Sequence, residues 1–251
     1  MLRLITIPIS HYCEKARWAL DRAGIAYREE RHVQGVHQIV ARRAGGGKTV
    51  PVLVTDDEVL AESRDILAWA DKRTPPGDRL YNGDPEVASL CRRFDEVLGP
   101  RGRRLMYVLM LPERKLMLSF NNVGVPRWED RAMRIGWPVI TRFAARELAI
   151  TSGIEAEDEA VVWSELDYVG GLLADGRPYL CGDRFSAADL TFAALAAPAV
   201  VAPEYTVELP QPDALPPVAR TLVGRARGHP AGRHALEMFK RHRRERVAVP
   251  T

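Results

Sequence analysis

The chain has 251 residues, of which 36 are Lys or Arg and 33 are Asp or Glu, so its formal charge is +3. Hydrophobic residues make up 46% of the chain, which is ordinary for a globular protein and excludes an intrinsically disordered one. So small a net charge gives no reason to expect a nucleic-acid partner, and the length suffices for one large or two small domains.

The cysteine content and the apolar runs indicate the cellular compartment in which the protein is expected. The cysteines, Cys13, Cys91 and Cys181, are odd in number and widely spaced, which argues against a disulfide framework and for a reducing compartment. The amino-terminal residues lack the long apolar region of a signal peptide, and no apolar run approaches the ~20 residues that span a bilayer. The residue spacing of a metal site is also absent. We therefore expect a cytoplasmic protein with no metal and no membrane association.

The first predicted elements are a strand and a helix. Residues 2–7 form a short apolar run that is typical of a buried strand, and Pro8 ends it. From His11 onward, apolar residues recur at helical spacing as far as Gly24, a common helix terminator. Ser10 is therefore expected at the turn, on or just before the first helical residue.

Ser10 has two interpretations from these residues alone. It can be an ordinary N-cap, whose side chain accepts a hydrogen bond from the start of the helix. It can also take part in a site that favours negative charge, because its hydroxyl and the free N–H groups of the first turn point the same way. A thiolate is such a charge.

A proline-led strand and another helix follow. Val50-Pro51 precedes a short apolar run, and proline at the start of an edge strand is a common arrangement. Glu62-Ser63 precedes a helix that the spacing predicts over residues 64–72, where Ser63 is a second candidate N-cap.

Beyond this helix the pattern changes to helices. A Pro- and Gly-rich linker at residues 74–78 and a turn at residues 82–85 mark a domain boundary. Gly99-Pro100 predicts a kink or break between two helices, and the segment 112–126 predicts an interruption. The predicted helices cover residues 87–98, 103–111, 127–150 and 155–174.

A capping box begins a later, apolar helix. Ser186 is followed three residues on by Asp189 and then by an apolar run, which is the spacing of that motif. The role is structural, so replacing Ser186 by Ala should cost about 0.5–2 kcal/mol of stability and leave the chemistry intact.

The chain ends in a basic helix. After a proline-rich crossing segment, a helix is predicted over residues 231–247, and a basic run extends from Lys240 to Arg246. No aromatic residues interleave with this run. It therefore predicts a solvated helix end rather than a nucleic-acid or membrane surface.

Taken together, these features resemble the glutathione transferases. The features are the turn Ser10-His11-Tyr12-Cys13, the pair Val50-Pro51, the pair Glu62-Ser63 and the capping box. In the related glutaredoxins the turn reads Cys-Pro-Tyr-Cys, so a serine stands here in place of the reactive cysteine. The resemblance implies a thioredoxin-like α/β domain over residues 1–75, which binds glutathione, and an all-helical domain with a C-terminal extension over residues 84–251, on the acceptor side.

The resemblance also implies an activity and a set of roles. It implies a glutathione transferase that uses glutathione as co-substrate, adds its thiol to a hydrophobic electrophile, serves detoxification and forms a homodimer. Ser10 would hold the thiolate. Val50 would offer its backbone N–H and C=O to the cysteinyl part of glutathione, and Pro51 would follow a cis peptide bond. Glu62 would bind the ammonium, and Ser63 the carboxylate, of the γ-glutamyl end.

Several alternatives stay open. Arg103 and Tyr107 are candidates for contact with the acceptor substrate, because the resemblance places their helix beside the thiol. Cys13 can be the reactive group instead, in a mixed disulfide with glutathione, and Tyr12 can supply the hydroxyl. A glutathione-dependent isomerase or dehalogenase would use the same thiolate. A non-catalytic binding protein on the same fold, or one that binds another small thiol, also fits the sequence.

Overall fold

The computed structural model describes residues 1–247, so residues 248–251 of the predicted helical domain lie outside the described residues. Its first part carries a four-stranded mixed sheet. The strands are β1 (Arg3–Thr6), β2 (Arg28–Arg31), β3 (Val52–Val54) and β4 (Val59–Leu60). They lie in the order β2-β1-β3-β4, with β1 parallel to β2 and the other two pairs antiparallel.

The helices of this part cover both faces of the sheet. They are α1 (His11–Arg22), α2 (Val36–Arg43) and α3 (Ser63–Asp71). Leu4 and Leu53 are paired across β1 and β3 and belong to the large core cluster with residues of α1 and α3. Their neighbours Ile5 and Val52 pack on the opposite face with Ala41 of α2, because successive residues of a strand point to opposite faces.

The start of α3 corrects one expectation. Glu62 is the N-cap, with extended angles of φ −122° and ψ 139°, and Ser63 is the first helical residue rather than the cap. The Glu62 carbonyl already accepts hydrogen bonds from the N–H groups of Asp65 and Ile66, at 3.1 and 3.0 Å, so the helix begins one residue earlier than its apolar pattern indicates.

The second part is helical throughout. Its helices are α4 (Pro85–Arg93), α5 (Gly99–Met110), α6 (Arg114–Asn121), α7 (Arg127–Glu147), α8 (Ile154–Leu172), α9 (Ala187–Val200), α10 (Pro217–Gly228) and α11 (Pro230–His242). A thioredoxin-like α/β part followed by an all-helical part is the fold class that the sequence predicts, and it is confirmed.

The predicted break at Gly99-Pro100 is wrong in its position. The helix continues through Pro100, which lies in the first turn of α5, and the distortion is a π-helical turn at Phe94–Leu98. Proline cannot donate the helical hydrogen bond to the residue four before it. The π-helical turn just before Pro100 accommodates the missing bond. The Asp95 carbonyl in this turn accepts a hydrogen bond from Tyr12 Oη at 2.9 Å.

The predicted interruption at residues 112–126 is also wrong, because it contains the eight-residue helix α6. Met117, Leu118 and Phe120 of this helix are buried in a second core cluster with residues of α5, α7 and α10. Burial of this face stabilises a helix that is too short to form alone. α6 ends at Asn121, a residue that is fully buried.

Helix α9 is the central helix of the second part, and all of its residues except Pro198 are buried. The predicted capping box at its start is confirmed. Asp189 accepts hydrogen bonds from the N–H and the hydroxyl of Ser186, at 3.0 and 2.7 Å, and from the N–H of Leu180 at 2.8 Å. Its carboxylate therefore joins the preceding loop to the helix.

Residues 1–247 contain neither a membrane-spanning helix nor a cluster of metal-binding side chains. No helix in this range is both long enough and apolar enough to cross a bilayer. No three His, Cys, Asp or Glu side chains in the same range cluster as a metal ion would need.

Candidate functional site

Ser10 lies at the turn between β1 and α1. It is the N-cap of α1, with φ −70° and ψ 119°, and its Oγ accepts a hydrogen bond from the Cys13 N–H at 3.4 Å. Because Oγ is the acceptor in that bond, the bond does not use the hydroxyl proton. Ser10 is thus an N-cap, as one interpretation of the sequence predicts. This role is compatible with the other interpretation, in which the hydroxyl takes part in an anion-binding site.

A cleft of about 320 Å³ opens beside this residue, and we call it the Ser10 cleft. One wall comes from the β1–α1 turn, α2 and the loop before β3, and the other comes from α5 and α7. It therefore lies between the two parts of the chain, a common place for a small-molecule site. Its polar lining includes Ser10, His11, Gln34, Lys48, Arg103 and Tyr107.

The two alternative thiol-site residues are engaged elsewhere. Cys13 is fully buried, and burial raises the pKa of its thiol, which keeps it protonated. Tyr12 donates its hydroxyl proton to the Asp95 carbonyl, and burial raises the pKa of Tyr12 as well. Neither residue is among the described residues that line the Ser10 cleft.

The Val50–Pro51 peptide bond is cis, as the resemblance implies. Val50 lines the Ser10 cleft, and Pro51 is buried. The structure therefore brings Val50 and Ser10, which are 40 positions apart in the chain, to the same cleft.

Glu62 and Ser63 are not among the described residues that line this cleft. Glu62 is exposed and Ser63 is buried, and both are at the N-terminus of α3. After burial and Asp95, the Glu62 carboxylate is a further cause that raises the pKa of Tyr12. The start of α3 therefore lies near the Tyr12 side of α1.

An apolar cavity of about 80 Å³ adjoins the Ser10 cleft. Four residues line both spaces: Ile9, His11, Arg103 and Tyr107. The rest of its lining is apolar apart from the Tyr205 hydroxyl, and comes from α5, α6, α9 and the segment after α9, including Met106, Met110, Met117, Phe120, Leu209 and Leu215. A ligand in the cleft can therefore place an apolar group in this cavity.

The junction of the two spaces carries polar groups without partners. His11 Nε2 and Arg103 Nε are buried atoms that have no hydrogen-bond partner among residues 1–247. Burial lowers the pKa of His11 to about 3, and the nearby Arg103 guanidinium contributes, so the imidazole is neutral at pH 7. Arg103 and Tyr107 are four residues apart on α5, on the same side of the helix.

The other residues of the site could hardly be identified as site residues from the sequence. His11 is next to Ser10 in the chain, and that adjacency was its signal. Gln34, Lys48 and Glu147 come from separate polar segments and are brought together only by the fold. Lys48 Nζ lies 3.7 Å from a carboxylate oxygen of Glu147, so this ion pair joins the two walls of the cleft.

The basic end of α11 is not the fully solvated surface that the sequence predicts. Arg243 is only 6% exposed, and it donates hydrogen bonds from Nε to Glu14 at 2.6 Å and from Nη1 to Asp21 at 3.0 Å. Tyr205 Oη donates to the Ile9 carbonyl at 3.0 Å. The C-terminal part therefore braces α1 and the turn that carries Ser10.

Comparison with known sequences identifies the first domain. Residues 4–78 match the family model of the glutathione S-transferase N-terminal domain. No curated protein matches the chain significantly.

Solved structures match the chain over nearly its whole length. A glutathione S-transferase of Ceriporiopsis subvermispora, solved in complex with glutathione, has a TM-score of 0.61 at 16% identity, covering 99% of this chain and 98% of its own. Glutathione transferase F2 of Populus trichocarpa has a TM-score of 0.57 at 17% identity, covering 96% and 99%. A glutathione S-transferase of Rhodospirillum rubrum has a TM-score of 0.54 at 20% identity, covering 94% and 92%. Residues 4–78 therefore carry the sequence of a glutathione S-transferase N-terminal domain, and the whole chain has the fold of the glutathione transferases.

Proposed function

We propose that this protein is a glutathione transferase that binds glutathione in the Ser10 cleft and adds its sulfur to a hydrophobic electrophile in the apolar cavity. One observation carries the proposal. The Ser10 hydroxyl lies at the N-terminus of α1, in a cleft that adjoins an apolar cavity.

The energetic demand on Ser10 is modest. A free thiol titrates near about 8.5, so only a few per cent is ionised at neutral pH. Lowering its pKa by about two units requires ~2.7 kcal/mol of preference for the thiolate. A hydrogen bond to a charged acceptor and a helix N-terminus together supply an amount of this order. Ser10 at the start of α1 offers both.

The charges of the cleft suit the rest of the tripeptide. Glutathione carries one more carboxylate than ammonium, and the cleft is lined by two cations, Lys48 and Arg103, and by one carboxylate, that of Glu147. We propose that Val50 and Pro51 position the cysteinyl part through the Val50 backbone. The γ-glutamyl end would extend to the start of α3, where Ser63 and the free N–H groups accept a carboxylate.

The alternatives at the turn have less support. The buried, protonated Cys13 thiol is a poor nucleophile, and Tyr12 uses its proton on the Asp95 carbonyl. We therefore propose Ser10 as the residue that stabilises the thiolate, and Arg103 with Tyr107 as contacts of the acceptor.

The test is glutathione binding by calorimetry together with conjugation of a generic aryl halide. Ser10→Ala should leave the dissociation constant of glutathione nearly unchanged and lower kcat by on the order of 10²-fold, the usual effect of removing one donor to a developing or bound anion. The ultraviolet absorbance of the bound thiolate, followed against pH, should show a higher thiol pKa in the variant.

Cys13→Ala serves as the matched variant, because it changes the neighbouring turn position without removing the hydroxyl. It should keep both activity and thiol pKa. A silent Ser10→Ala together with an inactive, folded Cys13→Ala would contradict the assignment and favour a thiol transferase that uses Cys13. Failure of the wild-type protein to bind glutathione would favour a non-catalytic binding protein or another small thiol.

We propose the remaining family properties on the resemblance alone. These are a homodimer, action in the cytoplasm and a role in detoxification. Equilibrium sedimentation at several protein concentrations measures the assembly state. An isomerase or dehalogenase would use the same thiolate and would be recognised by regenerated glutathione or by release of halide.

A further inference from the structure

Helix α7 carries apolar side chains that the rest of the described chain leaves uncovered. Trp128, Ile135 and Val139 are 62%, 77% and 68% exposed. They lie seven and four positions apart, and this spacing places them on one side of the helix. Side chains exposed to this degree protrude from the surface. We call these three residues the α7 stripe.

Arginines flank the α7 stripe. Arg131 is four positions before Ile135, and Arg142 is three positions after Val139, so both lie beside the stripe on the same helix. The exposed arginines of α7 that form no ion pair within residues 1–247 are Arg127, Arg131, Arg142 and Arg146. The stripe is therefore accompanied by four positive charges that no carboxylate balances.

The acidic side chains of α7 all have partners of their own. Glu129 is buried and accepts a hydrogen bond from the Val33 N–H at 2.9 Å. The other two are in ion pairs, Asp130 with Arg134 and Glu147 with Lys48. The acids of this helix therefore leave the four arginines available to an external anion.

The neighbouring segments add positive charge. Pro138 has no N–H to donate to the Arg134 carbonyl four residues before it, and Arg114 of α6 donates to this carbonyl from Nη2 at 2.7 Å. Residues 31–55 include the part of the chain that faces α7 across the Ser10 cleft, and they contain no Asp or Glu. The surroundings of α7 therefore favour an anionic partner.

Shape and charge together favour a lipid surface as that partner. A helix with an apolar side and a basic side lies in the plane of an anionic bilayer, with its apolar side chains below the headgroups. Trp128 suits this depth, because an indole ring is apolar with one polar N–H. A symmetric contact between two copies of α7 would set arginines against arginines. A peptide helix needs a groove, which protruding side chains do not form.

The α7 stripe leads to the Ser10 cleft. Phe143 is four positions after Val139, on the same side of the helix, and it lines that cleft. A surface that covers the stripe would therefore lie beside the cleft.

We propose that α7 docks on an anionic lipid bilayer, with the α7 stripe inserted below the headgroups and its four unpaired arginines beside the lipid phosphates. This docking needs no membrane-spanning helix, because α7 lies along the surface. It differs from the absence of membrane association that the sequence predicts, because the exposure of the stripe is a property of the fold. The inference goes beyond the proposed function and does not depend on it.

Cosedimentation with vesicles tests the role of charge. The vesicles contain phosphatidylcholine alone or an equal mixture of phosphatidylcholine and phosphatidylglycerol. The wild-type protein should bind the mixed vesicles, and added salt should weaken this binding because it screens the arginines. Arg131→Gln combined with Arg142→Gln should lower the partition coefficient by on the order of 20-fold, since each arginine at an anionic surface contributes about fivefold.

The matched control removes two arginines from other helices. Arg92 and Arg244 are exposed and lie outside α7. Arg92→Gln combined with Arg244→Gln changes the net charge by the same amount as the α7 double variant. It should leave the partition coefficient nearly unchanged, because charges farther from the surface than the screening length contribute little.

A second set of variants tests insertion of the α7 stripe. Ile135→Gln should lower the partition coefficient by about tenfold, because it removes an apolar side chain from the acyl region. Val218→Gln is the control, since Val218 is 66% exposed on α10, and it should bind as the wild type does. Lipids brominated in their acyl chains should quench the tryptophan fluorescence of the wild-type protein. Trp128→Phe should lose most of that quenching.

Several results would overturn the inference. They are equal binding to both kinds of vesicle, binding to neither, and α7 variants that behave as their controls do. Self-association that Ile135→Gln abolishes, without vesicle binding, would assign the stripe to a second copy. Binding of an acidic amphipathic peptide in place of vesicles would assign it to a protein partner. Glutathione conjugation in solution should be the same in every variant, so it reports on the proposed function separately.

Discussion

Arg243, close to the C-terminus, donates a hydrogen bond from Nε to a carboxylate oxygen of Glu14 in α1 at 2.6 Å. Glu14 is fully buried and lies four residues after Ser10, and its N–H donates to the Ser10 carbonyl at 2.9 Å. The second oxygen of Glu14 accepts a hydrogen bond from Arg17 at 3.3 Å. The last helix is thus tied by a buried ion pair to the helix that carries the proposed thiol site.

Replacing Arg243 by Met should lower the free energy of unfolding by about 3–5 kcal/mol, because it leaves a buried carboxylate without its main partner. Urea unfolding measures the change. Arg244→Met is the control, since Arg244 is exposed and its loss should cost less than about 0.5 kcal/mol. Similar small effects from both variants would show that the pair contributes nothing net.

Gly99 and Gly102 should respond oppositely to alanine. A Cβ at Gly99 would overlap Tyr12 Oη and would lie 2.8 Å from Tyr12 Cζ, and the rigid ring cannot move without losing its hydrogen bond to Asp95. Gly99→Ala should therefore destabilise the protein by about 1–3 kcal/mol. A Cβ at Gly102 would meet the Leu195 carbonyl at an ordinary 3.8 Å, so Gly102→Ala should be neutral or should stabilise by up to ~1 kcal/mol.

Thermal unfolding of the two glycine variants tests this prediction, because both substitutions change the same helix by one methyl group. A Gly99→Ala protein as stable as Gly102→Ala would mean that Tyr12 is not packed against α5 as described.

The buried imidazole of His11 should make stability depend on pH. Burial lowers its pKa to about 3, below the ordinary value near 6.5, so the unfolded chain binds the proton more readily. This contribution to stability is complete above pH ~6.5 and is lost as the pH falls toward 3. Between neutral pH and pH 5 the wild-type protein should lose about 2 kcal/mol more than His11→Gln does. Urea unfolding at the two pH values measures the difference, and equal losses in both proteins would contradict it.

Local sequence patterns correctly predicted the features that depend only on residues close together in the chain. Ser10 is the N-cap of α1 and Ser186 with Asp189 forms a capping box, because capping geometry involves residues at most three or four positions apart. The alternation of Leu4 and Ile5 places them on opposite faces of the sheet, as strand periodicity requires. These features also carry the family resemblance, and the fold class follows from them.

Sequence patterns gave wrong predictions where packing between distant parts of the chain outweighs the local preference of a segment. The segment between Pro112 and Pro126 has strong breaking residues at its ends, yet burial of Met117 and Phe120 holds a helix there. The distortion expected at Pro100 lies one turn earlier, where the helix accommodates Tyr12 from another part of the chain.

The sequence by itself determined the order of an α/β part and a helical part, the caps of α1 and α9 and the presence of a hydroxyl at the start of α1, since each depends on spacing along the chain. Only the tertiary structure decided which polar groups meet at the site. Gln34, Tyr107 and Asn121 lie far apart in sequence, and a hydrogen bond between them exists only when the β2–α2 loop packs against α5 and α6.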